Sequence, residues 1–382
     1  MKIIHIYNFF KPKMGYIENC LPKEESKLGH NVIVLIPNNS VIEDNISGST
    51  YNCTLGQNNL IYVGLPLILQ NKIILQLKPD IVFMPYLHFN IFIIIIIKKL
   101  SNFKLVVSAG MPTKADNLAF YKKVAFNIFL SVSKLFLKDN VDLFIESTPM
   151  NVQRDIELFH IPKTKVKFLP LGADVSKFNI NENYRIEVRK KYHISPDEIV
   201  IIYAGKLSPD KNIHFLLQSC AHVLSEIPKI KLMILGNGHK EYICKLQNII
   251  DGLQIQNEVI FLNLAHHDDL AKYYNAADVG VWPGSPSITI QEALACGLPI
   301  IIKKSSHTQH LLKYGNGYQF DTLKDLINAI KTLAEDKIKR EKMGMMSRKL
   351  AESELNWEVI SKNAITIYKS ILVTDDRTQE VE

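Results

Sequence analysis

Residues 282–299, WPGSPSITIQEALACGLP, join the end of an apolar strand to a turn and a short helix. Two prolines and a glycine mark the turn, and the apolar pattern of residues 288–296 predicts a helix that ends at Gly297. The first N–H groups of a helix have no partner within it, and the helix dipole favours negative charge there. The stretch therefore predicts a phosphate site.

Glu292 lies one helical turn beyond Ile288 and Thr289, so a ligand held at the helix start could reach its carboxylate with a sugar hydroxyl. A structural alternative uses the same residues. Thr289 followed three residues later by Glu292 matches the capping box, in which the glutamate bonds the backbone at the helix start. The stretch alone leaves both interpretations open.

Composition indicates a globular protein with room for two domains. The chain has 382 residues, of which 47% are hydrophobic and 22% charged, and this balance excludes a disordered protein. Lys and Arg number 45 against 38 Asp and Glu, which gives a net charge of +7. Because the lysines are scattered, this excess suits anionic ligands or an anionic membrane surface better than nucleic acid.

The cysteines and the first residues indicate a cytoplasmic protein. The five cysteines form no CxxC pair and no close cluster, which favours a reducing compartment and argues against structural zinc. The chain begins with an apolar strand and has no signal-peptide layout, so we expect it in the cytoplasm or at the inner face of the membrane. Residues 81–97 are very apolar but short for a membrane span, and they predict a buried strand and a core-facing helix.

Apolar strands alternate with amphipathic helices along the chain, which predicts α/β architecture with parallel sheets. The predicted strands are residues 2–7, 32–36, 60–63, 81–84, 105–108, 143–146, 166–169, 199–203, 231–235, 259–262, 279–282 and 299–302. The alternation breaks at residues 170–178, so we predict two doubly wound domains, residues 1–175 and 176–355. A helix at residues 356–374 and a flexible tail at 375–382 follow.

Candidate ligand-binding residues follow the predicted strands, where open α/β sheets bind their ligands. Two such domains facing each other would enclose a cleft, with one ligand held by each. Lys206 and Lys211 follow one strand of the second domain, Gly236 and Gly238 follow the next, and the turn before Glu292 follows a third. A diphosphate would meet two cations and a helix start there, although lysines in turns are often only solvated.

Other candidates carry alternatives as well. Gly15 follows the first strand, where it either allows a phosphate to approach the backbone or simply forms a turn. His266 and His267 lack partners at metal-ligand spacing and are predicted to face solvent. The sequence has no GxSxG motif and no readable Ser-His-Asp or Cys-His arrangement.

Several motifs together resemble the retaining glycosyltransferases of family 4, which have the two-domain GT-B fold. The motifs are Lys206 to Lys211 after a strand, Gly236-Asn-Gly238-His, residues 276–280, and Glu292-Ala-Leu-Ala-Cys-Gly297-Leu-Pro, with Gly15, Gly29-His30, residues 170–174 and Trp357-Glu358 in agreement. The resemblance spans nearly the whole chain. It implies an acceptor-binding first domain, a donor-binding second domain, and a final helix that crosses back to the first.

The resemblance also implies roles for single residues. Lys211 would bind the donor's diphosphate, with Lys206 at the position of the family's usual arginine. Glu292 would hold the ribose hydroxyls, and Gly15 would let its loop close over the phosphates. The backbone N–H groups that would contact phosphate and sugar belong to Ser287, Ile288 and Thr289.

The implied function is the transfer of a hexose from a nucleotide-sugar donor to a glycan or lipid-linked glycan, in cell-surface polysaccharide biosynthesis. The nucleotide-sugar is a co-substrate, and neither a metal nor another cofactor is expected. Two departures stand out: Gly284 replaces a glutamate that contacts the transferred sugar, and Ala109 replaces a histidine, for which His88 could be recruited. A nucleotide-sugar-binding subunit without catalysis, or a sugar-nucleotide epimerase of the same fold, are the alternatives.

A lysine- and phenylalanine-rich segment suggests contact with a membrane. Lysines and phenylalanines alternate near a predicted helix at residues 118–137, which suits a surface that faces a bilayer. An ordinary amphipathic helix is the alternative. The residues are Phe120, Lys122, Lys123, Phe126, Phe129, Lys134, Phe136 and Lys138.

Overall fold

The computed structural model of the protein describes residues 1–7, 10, 15–36, 59–108, 120–262 and 267–379. Within these, the side chains of residues 120–123, 125, 126, 130, 158 and 374–379 are not described. The chain divides into two compact units. The first consists of Met1–Pro170 with Trp357–Glu382, and the second of Leu171–Asn356.

In the first unit, the described residues form a parallel sheet with helices between its strands. The strands are β1 (Lys2–Ile6), β2 (Asn31–Ile36), β3 (Leu60–Gly64), β4 (Ile81–Met84), β5 (Lys104–Val107), β6 (Leu143–Glu146) and β7 (Val166–Phe168). The helices are α1 (Ile17–Lys27), α2 (Leu67–Leu77), α3 (Ile91–Ser101), α4 (Phe120–Asn140) and α5 (Pro149–Leu158). The strand order is β3-β2-β1-β4-β5-β6-β7.

The apolar run of residues 81–97 forms a strand and the core-facing side of a helix, as predicted. All four residues of β4 are buried, as expected for a parallel strand covered on both faces. In α3, Ile91, Ile94 and Ile95 face the core. Among the described residues, no helix is long and apolar enough to span a bilayer.

The second unit repeats this architecture. Its strands are β8 (Ile199–Ala204), β9 (Ile230–Leu235), β10 (Val259–Leu262), β11 (Val279–Trp282), β12 (Ile300–Lys303) and β13 (Gly317–Phe320). Its helices are α6 (Glu182–Lys191), α7 (Ile213–Leu224), α8 (Lys240–Gly252), α9 (Leu270–Ala276), α10 (Thr289–Ala295), α11 (Leu323–Glu335) and α12 (Lys337–Ser353). The described strands lie in the order β10-β9-β8-β11-β12-β13, and all their pairings are parallel.

The last helix, α13 (Trp357–Gln379), belongs to the first unit and packs on α1. Its Tyr368 is fully buried, and the Tyr368 ring lies 6.4 Å from the ring of Phe83 in β4. The expected α/β class, with a doubly wound parallel sheet in each unit, is confirmed.

Candidate functional site

The candidate site lies at the carboxyl edge of the second sheet, beside the neighbouring strands β8 and β11. From β8 the chain continues to β9 on one side, whereas β11 continues to β12 on the other. The connections after β8 and β11 therefore diverge, and such a switch point is where doubly wound sheets bind ligands. The sequence-predicted residues of the second unit follow β8, β9 and β11, so the fold brings them to this edge.

The β8 loop, residues 205–212, is tied to the turn that follows β11. The ammonium of Lys211 donates to the carbonyl oxygens of Ser285, at 3.0 Å, and Pro286, at 2.8 Å. The Ser285 N–H donates to the Asp210 carbonyl at 3.0 Å, and the Ser285 hydroxyl bonds the Asp210 carboxylate. Lys211 thus holds the turn in shape, and partial burial lowers its pKa. Two of its three N–H donors are used, and the ammonium also lies 3.9 Å from Oδ2 of the Asp210 carboxylate.

Lys206 is the more open of the two cations. Its side chain is exposed, and the described residues offer its ammonium no hydrogen bond or ion pair. The backbone of Lys206 is held instead, because the Tyr203 hydroxyl donates to its carbonyl at 2.9 Å. A fixed backbone with a free ammonium suits a residue that meets an anion.

The β11 turn, residues 283–288, presents backbone donors. Within the described part of the chain, the N–H groups of Ser287, Ile288 and Thr289 have no hydrogen-bond acceptor. Helix α10 begins at Thr289 and has seven residues, so it is shorter than the predicted helix of residues 288–296. Successive free N–H groups at the start of a helix can donate hydrogen bonds to an anion.

Thr289 anchors this turn to the sheet and does not form the capping box. Its hydroxyl lies 2.7 Å from the Ala204 carbonyl oxygen, and Trp282 Nε1 donates to the same oxygen at 3.0 Å. The cap residue of α10 is Ile288, and no side chain caps it. The capping-box interpretation of Thr289 and Glu292 is therefore wrong.

Glu292 bonds a histidine instead. It is buried, and its Oε1 lies 2.5 Å from Nε2 of His267. Burial raises the pKa of Glu292, and the hydrogen bond with His267 opposes that rise. Only 10% of the His267 side chain is exposed, so the prediction that it faces solvent is wrong, while His266 lies outside the described residues. No sequence signal other than metal-ligand spacing was available for His267, although the residue follows β10 at the same sheet edge.

At two of the predicted binding glycines, close packing against backbone explains why the residue is a glycine. A Cβ at Gly236 would lie 1.9 Å from the Gly205 carbonyl oxygen, and one at Gly238 would lie 2.0 Å from that of Leu207. Both glycines are at the expected edge of the sheet. The close approach that they allow is to the backbone of the β8 loop.

Gly284, the departure from the family pattern, is required by its surroundings. A Cβ at this position would lie 2.2 Å from the Asp210 carbonyl oxygen and 2.6 Å from the Lys211 Cα. Real Cβ atoms do not approach backbone so closely. The described backbone therefore has no place for the glutamate that the family usually has here.

In the first unit, Gly15 lies in a bend directly before α1. His88 follows β4, and burial lowers its pKa to about 4, so the ring is neutral at physiological pH. Its Nε2 is buried without a described partner. Ala109 lies outside the described residues. No group of three or more His, Cys, Asp or Glu that could hold a metal is found in the described ranges.

The predicted membrane segment forms α4, but its phenylalanines do not share one exposed face. Phe129 is buried, with its ring 4.4 Å from that of Phe89 and 5.8 Å from that of Phe92. Phe136 is about half exposed. The side chains of Phe120, Lys122, Lys123 and Phe126 are outside the description.

Comparison with known proteins yields a family match and several relatives. Residues 185–350 match the family "glycosyl transferases group 1". Spore coat protein SA of Bacillus subtilis is 26% identical over 302 residues, which are 71% of this chain and 79% of that protein. Alpha-monoglucosyldiacylglycerol synthase of Streptococcus pneumoniae is 29% identical over 170 residues, or 43% of this chain and 38% of that enzyme.

The fold matches that of solved structures over nearly the whole chain. Anabaena HepE in complex with UDP superposes with a TM-score of 0.76 at 16% identity, and the match covers 97% of this chain and 100% of HepE. At this identity the likeness concerns the fold alone. It confirms the expected pair of Rossmann-like domains of the GT-B type.

Proposed function

We propose that this protein is a retaining glycosyltransferase of family 4, because residues 185–350 of its second unit match glycosyl transferases group 1. It would move a hexose from a nucleotide-sugar to a glycan or a lipid-linked glycan. One observation carries the proposal: free backbone donors, an open lysine and a buried glutamate follow neighbouring strands at the switch point of the second sheet.

Each of these groups suits one part of a nucleotide-sugar. The free N–H groups of Ser287, Ile288 and Thr289 and the open ammonium of Lys206 suit the diphosphate. Lys211 would contribute its remaining N–H, but its larger role is to shape the turn that carries the backbone donors. Glu292 would accept hydrogen bonds from the ribose.

The proposed reaction needs no nucleophile from the protein. The bond between the anomeric carbon and the diphosphate oxygen breaks while the acceptor hydroxyl attacks from the same face of the sugar. The acceptor proton passes to the departing phosphate. The protein then acts by positioning the reactants and by stabilising the negative charge that develops on the diphosphate. No metal is required for this scheme, because cationic and N–H groups face the developing charge.

The proposed acceptor role of the first unit includes contact with a membrane. Two residues before α3 and along it, an exposed apolar stripe recurs at helical spacing and consists of Phe89, Ile93, Ile96 and Leu100, which are 48–74% exposed. A second exposed stripe on α4 consists of Val124, Ile128 and Leu135, and the aromatic contacts of Phe129 join the two helices.

The charge composition of the helices that carry these stripes, together with α2, favours an anionic bilayer. Helices α2, α3 and α4 contain seven lysines, one aspartate, and no glutamate or arginine. Exposed apolar stripes with cationic flanks bind interfaces that combine acyl chains with anionic headgroups. This surface supports a lipid-linked acceptor, a position at the inner face of the membrane and a place in cell-envelope polysaccharide synthesis.

The proposal is tested by a donor panel. Purified protein is incubated with sugar nucleotides of uridine, guanosine and adenosine, and thermal stabilisation and nucleotide release are measured with and without lipid-linked saccharides. We expect one donor to stabilise the folded protein and to be turned over in the presence of acceptor. Binding without turnover would favour the non-catalytic alternative, and a changed sugar without transfer would favour the epimerase. The proposal fails if no donor binds.

A further inference from the structure

The two oxygens of the Glu292 carboxylate have different surroundings. Oε1 lies 2.5 Å from Nε2 of His267. Oε2 is shut off from solvent and has no hydrogen-bond partner among the described residues. A buried acceptor without a donor destabilises the folded protein, whereas a ligand hydroxyl that reached it would remove that cost. The orphaned oxygen belongs to the residue that the proposed function assigns to the ribose.

The orientation of His267 follows from its other neighbour. Nδ1 of His267 lies 3.1 Å from the ammonium of Lys177. Because an ammonium only donates, Nδ1 accepts, and the ring proton of the neutral imidazole must be on Nε2, where it faces Glu292. Lys177 therefore selects the tautomer that donates to the carboxylate.

Further contacts fix this arrangement. The Lys177 ammonium also pairs with the Asp268 carboxylate at 2.6 Å. The ring of Phe178 meets the His267 ring edge to face, with centroids 5.5 Å apart. The imidazole is thus held by the segment that precedes α6 and by the turn that follows β10, while its proton points at α10.

We propose that His267 is a positioning residue for nucleotide recognition. Its Nε2–H holds Oε1 of Glu292, so that Oε2 is the oxygen that accepts a hydroxyl of the 2′,3′-diol of a nucleoside diphosphate. Lys177 maintains this state through the tautomer. The inference rests on the proposed function, because it takes the ligand of Glu292 to be a ribose.

Loss of the histidine has a defined chemical consequence. Without His267, the carboxylate loses the single donor that the described residues give it. Burial then favours the protonated form of the Glu292 carboxyl group. This form donates a hydrogen bond and is a weaker acceptor than the carboxylate. Recognition of the diol weakens, while the diphosphate contacts at Lys206 and the β11 turn remain.

The experiment compares nucleotides with and without the diol. Calorimetry measures the affinity of the full chain for UDP, GDP and ADP and for their 2′,3′-dideoxy counterparts. For the nucleotide that binds, we expect His267→Ala to weaken binding roughly tenfold to a hundredfold and to leave the dideoxy affinity unchanged. His267→Gln, whose amide can donate in place of Nε2–H, should restore most of the loss, and Lys177→Met should weaken binding by a smaller factor.

The matched control is His222→Ala. His222 also faces a glutamate, with Nε2 3.8 Å from Glu226 Oε1, but both side chains are more than half exposed. The His222→Ala variant should bind the nucleoside diphosphate and its dideoxy counterpart as the wild type does.

Two results would overturn the inference while the proposed function stands. One is equal weakening of the normal and dideoxy nucleotides by His267→Ala, which would indicate a general role in packing. The other is wild-type affinity and wild-type discrimination between the two nucleotides in both His267→Ala and Lys177→Met. If the wild-type protein binds none of the three diphosphates, the proposed function itself is contradicted, and the inference with it.

Discussion

Gly284 lies directly against the backbone of Asp210: a Cβ at residue 284 would be 2.2 Å from the Asp210 carbonyl oxygen. The β11 turn and the β8 loop are therefore in backbone contact at this point. The hydrogen bond from Ser285 N–H to the same carbonyl, at 3.0 Å, fixes the contact. In the sequence, Gly284 looks like the loss of a glutamate. In the structure, the absence of a side chain at Gly284 allows the β11 turn and the β8 loop, which carry the candidate site, to come into contact.

We expect Gly284→Ala to lower the free energy of unfolding by about 1–3 kcal/mol, because the new methyl group must displace backbone. Nucleotide binding should weaken as well, since Lys206 and the free N–H groups lie on the displaced segments. Urea denaturation and calorimetry measure the two effects. Gly252→Ala is the control: this helical glycine has no atom within 4 Å of the added Cβ, so its change should be neutral or slightly stabilising. Unchanged stability in Gly284→Ala would contradict the contact.

Replacing the two lysines of the β8 loop should change the stability of the protein by different amounts. Lys211→Met removes two hydrogen bonds from a charged donor to carbonyl oxygens, and we expect it to lower both the stability of the second unit, by about 1–3 kcal/mol, and the nucleotide affinity. Lys206→Met removes an exposed ammonium with no described partner, so stability should change by less than about 0.5 kcal/mol. Its nucleotide affinity should still fall roughly tenfold.

Chemical denaturation and calorimetry on the same two variants check this prediction. Similar losses of stability in both variants would show that Lys211 does not hold the turn. Wild-type affinity in Lys206→Met would remove this lysine from the diphosphate site.

The first unit contains a buried carboxyl group whose charge should oppose folding at high pH. Glu18, in the first turn of α1, is 2% exposed, and burial raises its pKa from 4.5 to about 7. Between these pH values the folded chain keeps a proton that the unfolded chain releases, so stability falls as the pH rises. The whole shift corresponds to about 3 kcal/mol, which is fully lost above pH 7.

Glu18→Gln should therefore be more stable than the wild type at pH 8 by up to about 3 kcal/mol, with the advantage gone near pH 4. Urea denaturation at several pH values measures it. Glu241→Gln is the matched control, because Glu241 occupies the same place in the first turn of α8 but is exposed. A pH-independent difference between Glu18→Gln and the wild type would contradict the prediction.

The fold could be predicted from the sequence because its strands are nearly continuous apolar runs. Strands buried on both faces, such as β4 and β8, leave no other interpretation of their residues once length and flanking turns are considered. Strand β13 was not predicted. Its four residues, Gly-Tyr-Gln-Phe, include a glycine and a glutamine and have only one buried side chain.

The candidate site could be predicted only where a residue follows its strand directly. Lys206 and the β11 turn were found in this way, because the carboxyl ends of parallel strands share one edge. The contacts that give these residues their roles join distant positions: His267 and Glu292 are 25 residues apart, and Lys177 and His267 are 90 apart. No local pattern reveals such pairs, and His267 was predicted to face solvent because it lacks partners at metal-ligand spacing.

The exposed stripes on α3 and α4 lead to a prediction for membrane binding. The double variant Ile96→Ser and Leu100→Ser removes two side chains that are 61% and 74% exposed. Because inserting each apolar side chain into a bilayer contributes about 1.5–3 kcal/mol, we expect binding to anionic vesicles to fall at least tenfold. The control double variant, Ile338→Ser and Met345→Ser, removes residues that are 80% and 61% exposed in the second unit and should bind as the wild type does.

Sedimentation with phosphatidylglycerol vesicles measures the bound fraction. Binding should weaken in high salt and with phosphatidylcholine alone, because the lysines of α2 to α4 attract anionic headgroups. Equal losses in the two double variants would show that general apolar exposure, and not this surface, is responsible for binding.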